Sequence, residues 1–459
     1  VTSALPAAPE IRDCGDVAVA RLPLAGRSVD LLALAAQVPE RYPFLLESSA
    51  GAAAQSRYDV LPALPQQAIE VSTADPAACD FLQTLDRAHA AATAPNATGL
   101  PFIGGWFVYL GYELAARIDP ALTLPAPDTT LPLALAVRCP AAIIRDRARD
   151  CLYLLAEDND HACVRSLCTD LSACWDTPLN AAPVPARMHE QPAQRYLEQV
   201  AAARAQIQAG ALEQANLARS WHGELLQPTD PTRLYAALRA ANPAPFSGLM
   251  RWRRAAVLSS SPERLLALDG AGRVRTRPIA GTRPRTAASA AAASRALLAH
   301  PKERHEHATL VAQQRRDLAG VCLLHTTAVA ESMVVESYAH VHHIVSGICG
   351  RLRPDVGPGA ALRAVFPAAS ITGSPKRPCM DFIARQEGAP RGAYTGSFGY
   401  LSRCGRMDVN ILIRSITQCD RQLTVQAGAG IVAASDPQRE LQETRVKAQG
   451  VLRALAAGS

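Results

Sequence analysis

The chain has no run of about 18 uncharged apolar residues, and none of it reads as a helical membrane span. Val1 to Asp16 lack a basic segment followed by an apolar one, so no secretory signal is expected there. The twelve cysteines never form Cys-x-x-Cys. Cys163 and Cys168 lie near His161 without completing a zinc spacing. Reduced thiols in a cytoplasm are the expectation. A strong charge of either sign is also missing. The net charge of +6 and a pI near 8.8 are mild over this length. They give no pointer to nucleic acid and suit a small anionic substrate. A Rossmann fingerprint is absent, because Gly428-Ala-Gly430 has no second glycine pair and no following helix. No internal repeat occurs, and the only compositional bias is alanine richness near 286–294.

What is present is length and apolar content. With 459 residues, 49% of them hydrophobic and 19% charged, the chain can bury a large core and exceeds one simple domain. Alternating apolar runs predict strands over 41–49, 56–60, 102–112 and 134–156, the last as two strands joined by a charged hairpin. Helices are expected over 76–93 and 161–174. A proline-punctuated stretch at 178–192 is the best candidate boundary, giving an N-terminal lobe over 1–180 and a C-terminal domain over 192–459. Beyond it, a helix at 192–210 precedes strands near 214–224, 246–251, 255–260, 264–268 and 273–280. A helical tract over 287–319, strands over 396–417 and 422–433, and a helix from 437 to 456 follow. This order predicts an α+β fold of mostly antiparallel sheets packed together, with helices outside.

Several segments carry chemistry. Pro278-Ile-Ala-Gly-Thr282 sits inside Arg275–Arg285, where four arginines in eleven residues suit a carboxylate ligand. Read alone, it is a short strand ending in a turn that Gly281 permits. Glu303-Arg-His-Glu306 and Glu440-Leu-Gln-Glu443 each place two carboxylates on one helix face. Facing one another, they could hold a hard dication such as Mg²⁺; taken singly, each is also an ordinary solvated face. Ser259-Ser-Ser-Pro-Glu-Arg264 puts Glu263 at a strand end, where it either enters a cleft or pairs with Arg264 at the surface. Other runs are Leu212-Glu-Gln-Ala-Asn-Leu-Ala-Arg219, Tyr338-Ala-His-Val-His-His-Ile-Val-Ser346, Phe366-Pro-Ala-Ala-Ser-Ile-Thr-Gly-Ser-Pro-Lys376, Gly396-Ser-Phe-Gly-Tyr-Leu401, Met407-Asp-Val-Asn-Ile-Leu-Ile-Arg414 and Gln426-Ala-Gly-Ala-Gly430.

Together these segments resemble the chorismate-utilising enzymes, the family of the large subunits of anthranilate synthase and aminodeoxychorismate synthase. The resemblance implies that Glu306 and Glu443 coordinate Mg²⁺, with Glu303 and Glu440 beside them, and that the metal grips the ring carboxylate of chorismate. It implies that Glu263 is the general acid for loss of the 4-hydroxyl and that His343 lies close to the reacting carbons. Ala280 and Thr282 fall at catalytic positions of the pentapeptide. Ser370, Thr372, Gly373 and Lys376 would meet the substrate ahead of a helix start. Tyr400 and Arg414 would hold the enolpyruvyl carboxylate, and the amides of Gly428 and Gly430 would line the site.

Members that add water place a lysine base where this chain has Gln214. Glutamine is no base at neutral pH, so Gln214 argues for ammonia, which needs none. The ammonia would come from a glutamine amidotransferase partner, since the chain shows no Gly-x-Cys-x-Gly elbow. Details such as Ala244-Pro-Phe-Ser247 and Gln442-Glu-Thr444 lean towards aminodeoxychorismate synthase and the 4-aminobenzoate and folate route. Ala280 stands where the best-known of those enzymes carry a lysine nucleophile, so amination at C4 and at C2 both stay open, the latter giving anthranilate or 2-amino-2-deoxyisochorismate. Ala312 in place of an aspartate, Arg315-Arg-Asp317 in place of Arg-Asn-Asp and Glu213 in place of a tyrosine keep a weakly active chorismate-binding protein open as well. In the N-terminal part, Leu45-Leu-Glu-Ser48 and Ser56-Arg-Tyr-Asp59 resemble tryptophan-binding segments, with Glu47, Ser48, Ser56 and Asp59 as the contacts; ordinary core strands are the alternative.

Overall fold

The run Gly-Trp-Phe-Val-Tyr-Leu is apolar on both parities, and its strand, Gly105–Leu110, is buried at all six positions. Phe107 and Tyr109 face one core, while Trp106, Val108 and Leu110 face another. A strand covered on both faces must lie in a middle layer. The computed structural model describes residues 9–49, 57–72, 80–126, 130–175, 177, 179–284, 299, 301–337 and 341–457, with backbone alone at 280–284, 301–303, 337, 341–342 and 457. Two large sheets pack face to face, and helices cover their outer faces. Phe44 of one sheet stacks on Phe107 of the other, with ring centroids 4.0 Å apart. Burying a side chain of this size contributes about 1.5–3 kcal/mol. The α+β class, with antiparallel sheets and outer helices, is as the sequence predicts. Among the described residues only Val184–Glu190 and Leu455–Ala457 pair in parallel.

The boundary expected at 178–192 does not divide the sheets. The 14-stranded sheet runs through Ile11–Cys14, Val17–Pro23, Cys151–Glu157, Ala141–Asp146, Tyr58–Ala63 and Phe44–Glu47. It then continues into Phe246–Trp252, Ala255–Ser261, Ser415–Cys419, Gln422–Ile431, Gln214–Leu225 and Val184–Glu190. The seam is the pairing of Leu45 with Leu249. The 10-stranded sheet is joined in the same way, where Ser397–Ser402 pairs with Gly105–Leu110. Residues 1–180 and 192–459 therefore contribute strands to both sheets. The proline-rich linker itself contains the strand Val184–Glu190, which adds to Gln214–Leu225.

Of the helix expected over 287–319, the described part is Pro301–Ala319, and 287–298 and 300 lie outside the described residues. Two further details differ from the sequence reading. The helix expected over 76–93 is Phe81–Ala92, capped by Asp80. The pentapeptide does not end a strand. Arg273–Arg277 and Ile279–Pro284 both pair with Val341–Arg351, and the register slips between Ala280 and Thr282. Gly281 thus sits at an irregularity inside a strand pair, where a residue without Cβ is favoured.

Candidate active site

The long strands Gln214–Leu225 and Gln422–Ile431 pair antiparallel, with Ala218 opposite Gly428 and Asn216 opposite Gly430. Both glycines are required by close approach. A Cβ on Gly428 would lie 2.7 Å from the Leu217 carbonyl oxygen, and one on Gly430 would overlap Oε1 of Glu306. Two helices cross the same end of the sheets. Pro301–Ala319 packs on Ile279–Pro284 and Val341–Arg351 and carries Glu306. Pro437–Leu452 packs on Gln422–Ile431. It starts at Pro437 after Asp436, whose side chain accepts from the Arg439 amide. This capping fixes the first turns, and with them Glu440 and Glu443.

A cavity of about 110 Å³ lies between these elements. Glu263, Glu306, His343, Ser370, Arg414, Gly428, Gly430 and Glu443 line it. The pentapeptide reaches it through Ile279, and Thr282 pairs with His343 across the strands. The side chains of Ala280, Thr282 and Glu303 lie outside the described side chains, and Ser56 outside the described residues.

Glu263 follows Pro262 at the end of Ala255–Ser261 and is almost wholly buried. Its Oε1 accepts from the Ile279 amide at 3.3 Å. Arg264 does not pair with it but with Asp408, through two bonds of 2.8 Å. Burial pushes the Glu263 carboxyl up to about 7, against the opposing pull of the Ser370 hydroxyl, the Ile279 amide and the Lys447 charge. Such a group holds a proton near neutrality and can donate it.

Arg414 adopts φ 55° just before Ser415–Cys419. Backbone strain of this kind in a non-glycine residue recurs where a side chain must be aimed. One of its guanidinium nitrogens donates to the Lys447 carbonyl at 3.2 Å. Burial lowers its pKa to about 10, although Tyr394 and Glu443 support its charge. Among the described residues no carboxylate forms an ion pair with it. A buried guanidinium in that condition favours an incoming anion.

Gln214 is buried beneath the cavity, and its Nε2 donates to Oε1 of Glu306 at 3.1 Å. Glu440 is buried in the first turn of its helix, whereas Glu443 is partly exposed and pairs with Lys447, Nζ to Oε1 2.6 Å. Among the described residues no three His, Cys, Asp or Glu side chains stand close enough to form a ready-made metal cage. Glu306 and Glu443, carried by two different helices, line the same cavity, and such a pair still fits a hard dication that keeps waters or substrate oxygens in its shell.

Four expected substrate contacts are placed elsewhere. Tyr400 lines a separate cavity of about 1340 Å³ between the sheets, with its ring edge-on to Phe102. The tyrosine beside Arg414 is Tyr394, whose hydroxyl lies against Gly428. Lys376 turns to Asp317, Nζ to Oδ2 3.0 Å. Thr372 bonds back to the Ala368 carbonyl. Gly373, at φ 136°, packs under the Gln214 carbonyl, where a Cβ would overlap. The helix after this segment, Lys376–Glu387, begins beyond the cavity lining. Of Ser370, Thr372, Gly373 and Lys376, only Ser370 lines the cavity.

Sequence reasoning missed Tyr394, Lys447 and Arg391. Arg391 is buried and bonds Glu387 through two nitrogens at 2.6 and 2.9 Å. It also donates to the carbonyls of Ile371 and Asn216, and its guanidinium lies over the ring of Tyr394. It therefore ties three parts of the cavity wall together. The Arg391-Gly-Ala-Tyr394 run just before Gly396 was the available signal.

The residues resembling tryptophan contacts are already engaged. Glu47 lines the larger cavity and accepts from Arg239 at 3.1 Å and from the Tyr235 hydroxyl at 2.8 Å. Asp59 pairs with Arg147 at 2.8 Å and accepts from the Ser48 amide.

Fold and cavity describe a two-sheet α+β protein that gathers three acids, one of them buried, with glycine backbone and an arginine at one end of its sheets. The model of the chorismate binding enzymes matches residues 43–453, and the chain belongs to that family. It is similar to an aminodeoxychorismate synthase of Streptomyces griseus, 39% identical over 77% of this chain and 50% of that protein. The chain thus spans about half the length of that relative. It is also 33% identical to aminodeoxychorismate synthase component 1 of Salmonella typhimurium, over 90% of this chain and 93% of that one. Among solved structures, anthranilate synthase component I from Streptococcus pneumoniae superposes with a TM-score of 0.76 at 26% identity, covering 87% of this chain and 93% of the other.

Proposed function

We propose that the chain is the large subunit of an aminodeoxychorismate synthase, adding ammonia to chorismate to give 4-amino-4-deoxychorismate for the 4-aminobenzoate and folate route. The observation that carries this reading is the bond from Gln214 to Glu306. The position that would hold a base for water holds an amide, and that amide is spent on a carboxylate. The nucleophile must then be one that needs no activation, and ammonia meets that condition. A glutamine amidotransferase partner supplies it. Relatives named aminodeoxychorismate synthase support amination at C4.

Within this reading, Glu306 and Glu443, with Glu303 and Glu440 beside them, would hold a magnesium ion, which supplies charge neutralisation at the ring carboxylate. Arg414 and Tyr394 bind the enolpyruvyl carboxylate, with the amides of Gly428 and Gly430 closing the wall. Glu263 gives its proton to the departing 4-hydroxyl, which leaves as water. His343 lies on the same wall and orients the substrate.

Ala280 favours a second reading. Alanine offers no nucleophile, so ammonia entering directly at C2 would give 2-amino-2-deoxyisochorismate or anthranilate. The test is incubation of the purified chain with chorismate, Mg²⁺ and ammonium, followed by product identification and a pyruvate assay. A 4-amino product that a lyase converts to 4-aminobenzoate supports the proposal. Anthranilate with pyruvate replaces it by the second reading. No turnover, even with an amidotransferase added, leaves a chorismate-binding protein.

A further inference from the structure

We propose that Lys447 is the resident counter-ion of the glutamate pair, displaced from Glu443 when a divalent cation is taken up, so that metal loading releases an ammonium inside the cavity. The inference rests on the reading that Glu306 and Glu443 hold the cation.

Lys447 lies one turn beyond Glu443 on Pro437–Leu452. Its Nζ is 2.6 Å from Oε1 of Glu443 and donates to the Gly428 carbonyl at 2.9 Å. Both side chains line the cavity that also holds Glu306 and Glu263. The ammonium thus already holds the carboxylate that a cation at this position needs. A dication and an ammonium sharing one carboxylate repel in a partly desolvated site, and this drives Lys447 off. The Gln214 amide that bonds Glu306 is neutral, and a cation leaves it in place.

Composition points the same way. Only three lysines, Lys302, Lys376 and Lys447, stand in a Lys+Arg total of 47. The chain uses arginine almost everywhere that it needs a cation. Lys447 supplies what arginine does not: a compact charge on a flexible stem, able to leave one acceptor for another over a few ångströms. Once freed, it keeps the Gly428 carbonyl within reach and stands beside Glu263, whose carboxyl already responds to its charge. Metal uptake and anion binding then strengthen one another, each favouring the state in which Lys447 has left Glu443.

The experiment is a Mn²⁺ titration of the substrate-free chain, followed by calorimetry and by the spin resonance of free Mn²⁺. Lys447→Met keeps the length of the side chain and removes its charge. It is expected to bind Mn²⁺ about fivefold more tightly than the parent, the scale of one partly exposed ion pair. Lys447→Arg retains the counter-ion and should gain nothing. Lys447→Gln is the second neutral variant should the Met variant unfold. Unchanged or weaker Mn²⁺ binding in both neutral variants, with binding in the parent, overturns the inference and leaves the metal site standing. Absence of Mn²⁺ binding in every form, with and without chorismate, overturns the metal reading and this inference with it.

Discussion

The side-chain amide of Gln214 and the carboxylate of Glu306 are joined by a hydrogen bond of 3.1 Å, from a strand to a helix 92 residues further along the chain. A residue that the sequence offers as a clue to the nucleophile is therefore also a brace for a proposed metal ligand. Replacing it by leucine should weaken Mg²⁺ binding by about tenfold, since a hydrogen bond to a charged group is lost. The effect should appear as a raised metal requirement with kcat largely kept at saturating Mg²⁺. A variant with unchanged metal dependence and a lost kcat would mean that Gln214 acts on the substrate instead.

Glu263→Gln should lower kcat by about 10²- to 10⁴-fold, the range for loss of a positioned acid. In the parent, kcat/KM should fall as pH rises through about 7, where the buried carboxyl gives up its proton. Stability follows the same group. Its pKa is raised in the folded state, so the stabilisation is complete below the ordinary carboxyl value and declines as pH rises through about 7. Chemical denaturation should show the parent losing up to about 3 kcal/mol relative to Glu263→Gln across that window. Parallel pH profiles for the two proteins would count against a buried neutral acid.

Tyr394→Phe should raise the KM for chorismate by about tenfold, for one hydroxyl lost from an anion site. Tyr400→Phe, in the other cavity, should leave it within about twofold. The reverse ranking would restore the assignment made from sequence.

Gly428→Ala and Gly430→Ala separate packing from function. A Cβ at 428 meets a backbone oxygen, which cannot yield, so stability should drop by about 1–3 kcal/mol. A Cβ at 430 meets the ends of Glu306 and Gln214, which can swing aside. That variant should melt near the parent temperature while metal-dependent activity falls by about tenfold or more. Thermal melts beside activity assays decide the pair.

Most of the cavity was legible in the sequence because its residues sit in short local motifs, each with its own turn or helix face. Glu263 after Pro262, the Glu-x-x-Glu helices and Gly428-Ala-Gly430 are of this kind. Tyr400, assigned to the site by resemblance, is kept from it by strand parity. Within Ser397–Ser402 it shares a face with Phe398, which packs between the sheets, while Tyr394 precedes the strand and turns the other way. Lys447 was passed over because a lysine four residues after a glutamate on a helix looks like any surface pair. The strand Val184–Glu190 was hidden by its prolines; its pairing partners begin 30 residues on and near the chain end. No local pattern reports such distant neighbours.

The interleaved seams bear on how the chain is made. Phe44–Glu47 waits about two hundred residues for Phe246–Trp252, and Gly105–Leu110 almost three hundred for Ser397–Ser402. During synthesis the first third of the protein leaves the ribosome with two bare apolar sheet edges, which invite wrong partners. Cutting the chain at 178–192 should yield two fragments that each aggregate alone and regain structure only when refolded together.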